Sequence, residues 1–251
     1  MMKLYKKELG SYLNNPYGYI LIVLFAVFVN FLFVRDLFLI GSSSMRPFFN
    51  YLPWVMLVFV PAVAMRSLSE EKRTNTIEVL LTLPISEFQI VAAKLLAIIT
   101  LVVIGLSLTI LLPVSIYIVL QMQSIGFQAL GGNTHMVYLK TFPELFVGYI
   151  GSVLLASVFA SISLFFSSQT KNQVIALLAS IVAIFFLIGI NTDIAASVLP
   201  KMAQDVLLYF GPLYHYENFI KGVVDFRSLI YFVSVITLFI FFTVIDLEKR
   251  D

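Results

Sequence analysis

Charge is what this chain has least of. Only 12% of its 251 residues are Asp, Glu, Lys or Arg, about half the roughly 25% of an ordinary soluble domain. Charges are costly in hydrocarbon, so a deficit of that size is a membrane signature. Cysteine is absent altogether, which excludes disulfides and thiolate metal sites. No glycine-rich loop ending in Lys-Ser or Lys-Thr occurs, so nucleotide is not bound by that route. The two histidines, His135 and His215, fall between apolar runs, where a lone imidazole is expected to be a solvated residue rather than a ligand or catalyst. No apolar run contains the Ser and His that an intramembrane serine protease needs facing each other. No Asp, Glu, Lys or Arg lies deep in any run either, which argues against a proton- or sodium-driven pump. A net charge of +2 is too small to favour nucleic acid as a partner.

What is present is apolar and continuous. The chain is 60% hydrophobic with a mean hydropathy of +0.99. Six uncharged runs stand out, at 17–34, 48–65, 95–120, 145–166, 174–190 and 229–245. A membrane-spanning helix takes about 17–25 apolar residues, and continuous rather than alternating runs favour helices over barrel strands. Run 17–34 is too long for a cleaved signal segment and is followed at once by Arg35 and Asp36. The expected fold is therefore an all-α membrane protein of six spans, a single domain over 1–251. With the N-terminus inside, segments 1–16, 66–94, 167–173 and 246–251 hold ten Lys and Arg. The outer segments 35–47, 121–144 and 191–228 hold six. This bias places both termini in the cytoplasm.

The polar loop segments carry local structure. Residues 2–13 place Tyr5, Leu9 and Tyr12 on one helical face and Lys6 elsewhere, an interfacial elbow helix that Asn14-Asn15-Pro16 ends. Segment 66–86 is the densest polar stretch, with three cations and three carboxylates. Within it Asn75 and Glu78 read as a capping box opening a helix at Thr76, and Pro84 ends that helix at Leu83. Ile77, Leu80 and Leu81 share one side, with Glu78 opposite. A helix of about eight residues, near 12 Å long, is then joined directly to the third span, which Ser86 and Gln89 start. That makes a mechanical lever, or else a helix resting on lipid. In the fourth span Gly148, Ser152, Ala156 and Ala160 recur every fourth residue, a spacing that lets helices approach closely within one subunit or between two. Segment 193–224 reads as two short amphipathic helices broken at Gly211-Pro212, with Tyr209, Phe210, Tyr214 and Tyr216 at an interface.

Three stretches carry a family resemblance: PAVAMRSLSEEKRTNTIEVLLTLPIS at 61–86, KNQV at 171–174 and HYENFIKGVVDFR at 215–227. With the six-span plan and the elbow they resemble permeases of type-2 ATP-binding-cassette exporters, most of all the gliding-motility permease subunit. Asn75 stands where that pattern has Gly; Asn also tolerates left-handed backbone. The resemblance implies no enzyme and no bound cofactor in this chain. ATP and Mg would be held by a separate ATPase subunit, and a second permease chain, identical or different, would complete the path through the plasma (inner) membrane of a bacterium. It implies a coupling helix at 76–83 seated in the ATPase, with Ile77, Leu80 and Leu81 as the apolar key. Glu70, Glu71, Lys72, Arg73, Thr76, Glu78 and Pro84 would contribute register. Tyr5, Lys6 and Leu9 of the elbow would add contacts, and Tyr209, Phe210, Tyr214 and Tyr216 an outer gate. A hydrophobic or amphipathic substrate suits the uncharged spans. A membrane anchor or assembly scaffold for the ATPase is the alternative function. Glu70-Glu71 also matches the paired glutamates of CAAX-type intramembrane proteases, a reading that Asn75 in place of Arg and the missing helical histidines oppose.

Overall fold

A computed structural model describes residues 1–40, 46–81, 84–128, 141–190 and 209–249. The expected first outer helix, at 194–207, lies outside them. Among the described residues, ten helices follow in order: α1 Met2–Leu13, α2 Pro16–Ile40, α3 Arg46–Ala64, α4 Arg66–Arg73, α5 Ile77–Leu81, α6 Glu87–Gln128, α7 Thr141–Gln169, α8 Gln173–Gly189, α9 Pro212–Ile220 and α10 Phe226–Glu248. No strand occurs among the described residues. Among the described residues, five helical stretches are long and apolar enough to cross a membrane, at Pro16–Arg35, Arg46–Arg73, Glu87–Leu111, Leu145–Gln169 and Phe226–Glu248. The helix at Gln173–Gly189 is apolar but shorter, at 17 residues, near the lower limit for a span.

The starts of these helices are written locally. Asn15 Oδ1 accepts the amide of Tyr17 and opens α2; Asn172 and Asp225 cap α8 and α10 in the same way. Gly211 precedes Pro212 at the start of α9, the break expected from the sequence. The Gln89 amide donates to the Ser86 carbonyl at 2.9 Å and faces Ser86 Oγ at 3.4 Å as α6 begins, where Ser86 and Gln89 were expected to start the third span.

Helix α7 is the centre of the bundle. It packs against α3, α4, α6, α8, α9 and α10, and 72% of its apolar window is buried against 17% for α10. Its small residues explain why. A Cβ at Gly148 would lie 2.5 Å from the Phe49 ring, and one at Gly151 would lie 2.4 Å from Phe219 Cβ. The stripe at 148–160 thus packs α3 and α9 onto α7 within one chain. Phe48, Phe49 and Tyr149 interlock edge to face around it, and Phe25 stacks on Phe59 at 4.2 Å between α2 and α3.

Gly151→Val tests this packing. The added methyls have nowhere to go without moving α9, so the thermal midpoint in detergent is expected to drop by the equivalent of about 1–3 kcal/mol. An unchanged midpoint would show that α9 is not held by this contact.

Candidate functional site

At one end of the bundle, the loop end, α3 leaves its apolar run and becomes α4 across Met65. The backbone there is stitched by side chains from three other helices. Leu68 and Ser69 donate their amides to Ser167 Oγ, each at 3.1 Å, and that hydroxyl donates to the Met65 carbonyl at 2.9 Å. One serine hydroxyl, with one proton and two lone pairs, is thereby fully used. Ser69 Oγ also donates to the Met65 carbonyl. The carbonyls of Ala62 and Val63 accept from the hydroxyls of Tyr17 at 2.8 Å and Tyr12 at 3.1 Å. Burial, reinforced by nearby Glu8, holds the Tyr12 phenol above its usual range, so it remains a donor. A side chain inserted into the ladder of a helix is a recognised cause of a bend.

Charge then fixes α4 in place. Lys94 of α6 is 1% exposed. Its Nζ donates to the Ser67 carbonyl and to Glu71 Oε1, both at 2.8 Å, and pairs with Glu8 Oε1 of α1 at 3.1 Å. Those three acceptors match the three N–H bonds of an ammonium. Lys72, also buried, pairs with Asp246 Oδ2 of α10 at 3.2 Å. Arg66 forms a two-point contact with Glu70 at 2.8 and 3.0 Å and lies over the Tyr17 ring at 4.9 Å. Between α1 and α4 a polar notch of about 320 Å³ opens, lined by Lys7, Glu8, Arg66, Glu70, Glu71 and Thr76 among others.

Two expectations for this segment need correction. Asn75 does not cap α5. It sits at φ 55° and closes α4 instead, with the Thr74 amide on the Glu70 carbonyl and the Thr76 amide on the Glu71 carbonyl, a Schellman-type ending. The short helix α5 begins at Ile77 and is described for five residues. Second, Ile77 and Leu80 face inward, 9% and 5% exposed, and Ile77 joins the core. The side chain of Leu81 lies outside the described residues. What this segment presents outward is Arg73, Thr74, Asn75, Thr76, Glu78 and Pro84. Glu71 and Lys72 are occupied in the buried pairs, and Glu70 is half-buried against Arg66. On α1, Lys6 is exposed, Leu9 packs on the core, and the Tyr5 hydroxyl meets Thr100 Oγ1 at 2.9 Å.

The aromatic residues expected at the other end divide. Tyr209, Phe210 and Tyr214 are exposed, whereas Tyr216 is 1% exposed, its hydroxyl 2.9 Å from Ser152 Oγ and 3.3 Å from the Phe49 carbonyl oxygen. His215, expected to be solvated, is buried instead. It stacks on Tyr231 at 4.1 Å, with Nε2 2.9 Å from the Tyr209 carbonyl and Nδ1 3.2 Å from Ser228 Oγ. A carbonyl only accepts, so Nε2 carries the proton. Burial holds this imidazole below its usual pKa, against the opposing pull of the Tyr209 carbonyl and Asp225.

Sequence reading missed the partners Glu8, Lys94, Ser167 and Asp246. Glu8 was visible, as a carboxylate inside the apolar stripe of Tyr5, Leu9 and Tyr12. Among the described residues no cluster of His, Cys, Asp and Glu suited to a metal ion occurs.

A helical, multi-pass membrane protein with this braced polar end is what the fold defines. Comparison with protein families matches residues 2–247 to the ABC-2 family transporter protein, so the chain belongs to that family. It is a membrane permease subunit of an ABC transporter, and membership implies association with an ABC ATPase subunit. No curated protein matches the chain.

Lys94→Met should leave Glu8 and Glu71 close together without their cation, at a cost of about 3 kcal/mol. Thermal unfolding measures this, and the triple variant with Glu8→Gln and Glu71→Gln should recover most of the loss. His215 gives a pH signature. Its folded pKa is lowered, so its contribution to stability is full above the unfolded value of about 6.5 and is lost as pH falls from there toward the folded value. The wild-type midpoint should drop across that window, and His215→Gln should flatten the drop.

Proposed function

We propose that this chain is one of two permease subunits of an exporter in the bacterial plasma membrane, with six spans and both termini in the cytoplasm. The 17-residue helix α8 supplies the sixth span, and the excess of Lys and Arg in the inner segments supports the orientation. The resemblance to the gliding-motility permease subunit narrows the subfamily. In this reading ATP and Mg are bound and hydrolysed only by the partner ATPase, and the cargo is hydrophobic or amphipathic.

The single observation that carries the reading is the bracing of α4. A rigid segment continuous with α3 is tied to α1 and α6 through Lys94 and to α10 through Lys72. A push on α4 or α5 therefore reaches four helices together. The ATPase would dock on the outward polar edge of Arg73, Thr76 and Glu78, beside Lys6 and the notch between α1 and α4. Because Ile77 and Leu80 face the core, the contact reads charge and shape more than an apolar key, with register set by complementary charges.

The test is a pair of charge reversals, Arg73→Glu and Glu78→Lys, in the full chain co-expressed with its ATPase. Co-purification of the ATPase is expected to fall about tenfold, equivalent to roughly 1.4 kcal/mol, with the unfolding midpoint unchanged. Retained ATPase and unchanged ATP turnover in liposomes would sink the docking assignment. Turnover that no candidate cargo stimulates would favour the anchor or scaffold role.

A further inference from the structure

Helix α3 carries two prolines in its interior, Pro53 and Pro61. A proline has no amide to give to the carbonyl four residues before it, so Pro53 deprives the Phe49 carbonyl of its helical donor. A donor comes instead from α9, where the Tyr216 hydroxyl reaches that carbonyl at 3.3 Å. The same hydroxyl lies 2.9 Å from Ser152 Oγ on α7, and Ser152 Oγ lies 2.8 Å from the Gly148 carbonyl. Tyr216 is buried and so is Ser152, so water does not take over any of these bonds.

Two hydroxyl protons serve three contacts here. In one arrangement Ser152 donates to the Tyr216 oxygen and Tyr216 donates to the Phe49 carbonyl. In the other, Tyr216 donates to Ser152 and Ser152 donates to the Gly148 carbonyl. Each arrangement uses each proton once. The first bonds α9 to α3, and the second bonds α9 to α7 and releases α3. Passing between them takes rotation of two O–H bonds and leaves the tyrosine ring in place. Such a discrete pair of arrangements is what coupling between distant parts of a protein requires.

Its place in the fold gives the pair a use. Phe49 stands sixteen residues before Met65, about 24 Å along the helix at 1.5 Å per residue, at the end of α3 away from the braced junction with α4. A shift of α3 against the central helix α7 moves the Phe49 carbonyl relative to Ser152, with the Tyr216 hydroxyl between them. We infer that Tyr216 is the positioning residue that couples α3 to α9. With α3 in place it ties α9 to Phe49, and a displaced α3 hands the hydroxyl to Ser152 and frees α9. The trigger rests on the reading that the ATPase pushes α4; the bond itself does not.

Hydrogen exchange of the α9 amides, followed by mass spectrometry on the full chain in nanodiscs, tests both parts. Tyr216→Phe keeps the ring and leaves Ser152 its Gly148 acceptor, so α9 exchange is expected to rise about fivefold, the factor of one ordinary hydrogen bond. In a Pro53→Ala background the Phe49 carbonyl regains a helical donor, and the same substitution should then raise exchange by less than about twofold, the non-additivity of groups in contact. Equal effects in the two backgrounds would overturn the Phe49 bond and the coupling with it. With the ATPase bound, ATP and Mg should speed α9 exchange in the wild type. Tyr216→Phe should exchange fast with or without ATP. Ser152→Ala, which removes the second arrangement, should exchange slowly in both conditions. An ATP response that survives both substitutions would overturn the coupling. A complex that does not form at all counts against the docking reading alone, and the ATPase-free comparison still decides the bond.

Discussion

A single ammonium taken out of water organises the loop end. Removing a charge from solvent costs several kcal/mol unless it is paired and fully hydrogen-bonded, so Lys94 must collect three acceptors from whatever surrounds it. It finds them on two other helices: Glu8 on α1, and the Ser67 carbonyl and the Glu71 carboxylate on α4. The elbow helix is thereby held to α6, and α4 is held at a fixed height beside both. Lys72 and Asp246 repeat the principle between α4 and α10.

The Met65 junction makes the same demand with backbone groups. Where α3 gives way to α4, amides and carbonyls leave the regular ladder in a place with little water, and each must be satisfied. Ser167, Tyr12 and Tyr17 do so from three separate helices. A junction supported by that many independent partners is held in one geometry. It explains how a chain of apolar spans presents a stiff polar end, which is the property a partner-driven movement requires in the proposed function.

Much of this architecture was readable in advance. Continuous uncharged runs marked five helices long and apolar enough to cross a membrane and one shorter apolar helix, because hydrocarbon leaves few alternatives, and Gly211-Pro212 marked the start of α9. The sidedness of the 76–83 segment was also legible, with Ile77 and Leu80 together and Glu78 opposite. Its direction was not, since an apolar edge looks the same whether it meets the chain's own core or another protein. Asn75 was read as opening a helix, but its left-handed backbone closes the preceding one. His215 was expected in solvent because it falls between apolar runs, and its partners Ser228 and Tyr231 lie on the next helix, α10, where local pattern did not reveal the contact. The pairs Lys94–Glu8 and Lys72–Asp246 join distant parts of the sequence, and local pattern carries no information about them.

The alternation of roles across 70–80 has a consequence for how such a protein changes over generations. Glu71, Lys72, Ile77 and Leu80 are committed to internal contacts, while Arg73 and Glu78, interleaved with them, project outward. Substitutions at the second set leave the buried pairs intact, so under the proposed docking affinity for one ATPase or another can drift by single charge changes. Duplicated copies of such a chain could diverge in partner choice while keeping an unaltered scaffold, with selectivity and stability evolving on separate residues of the same short segment.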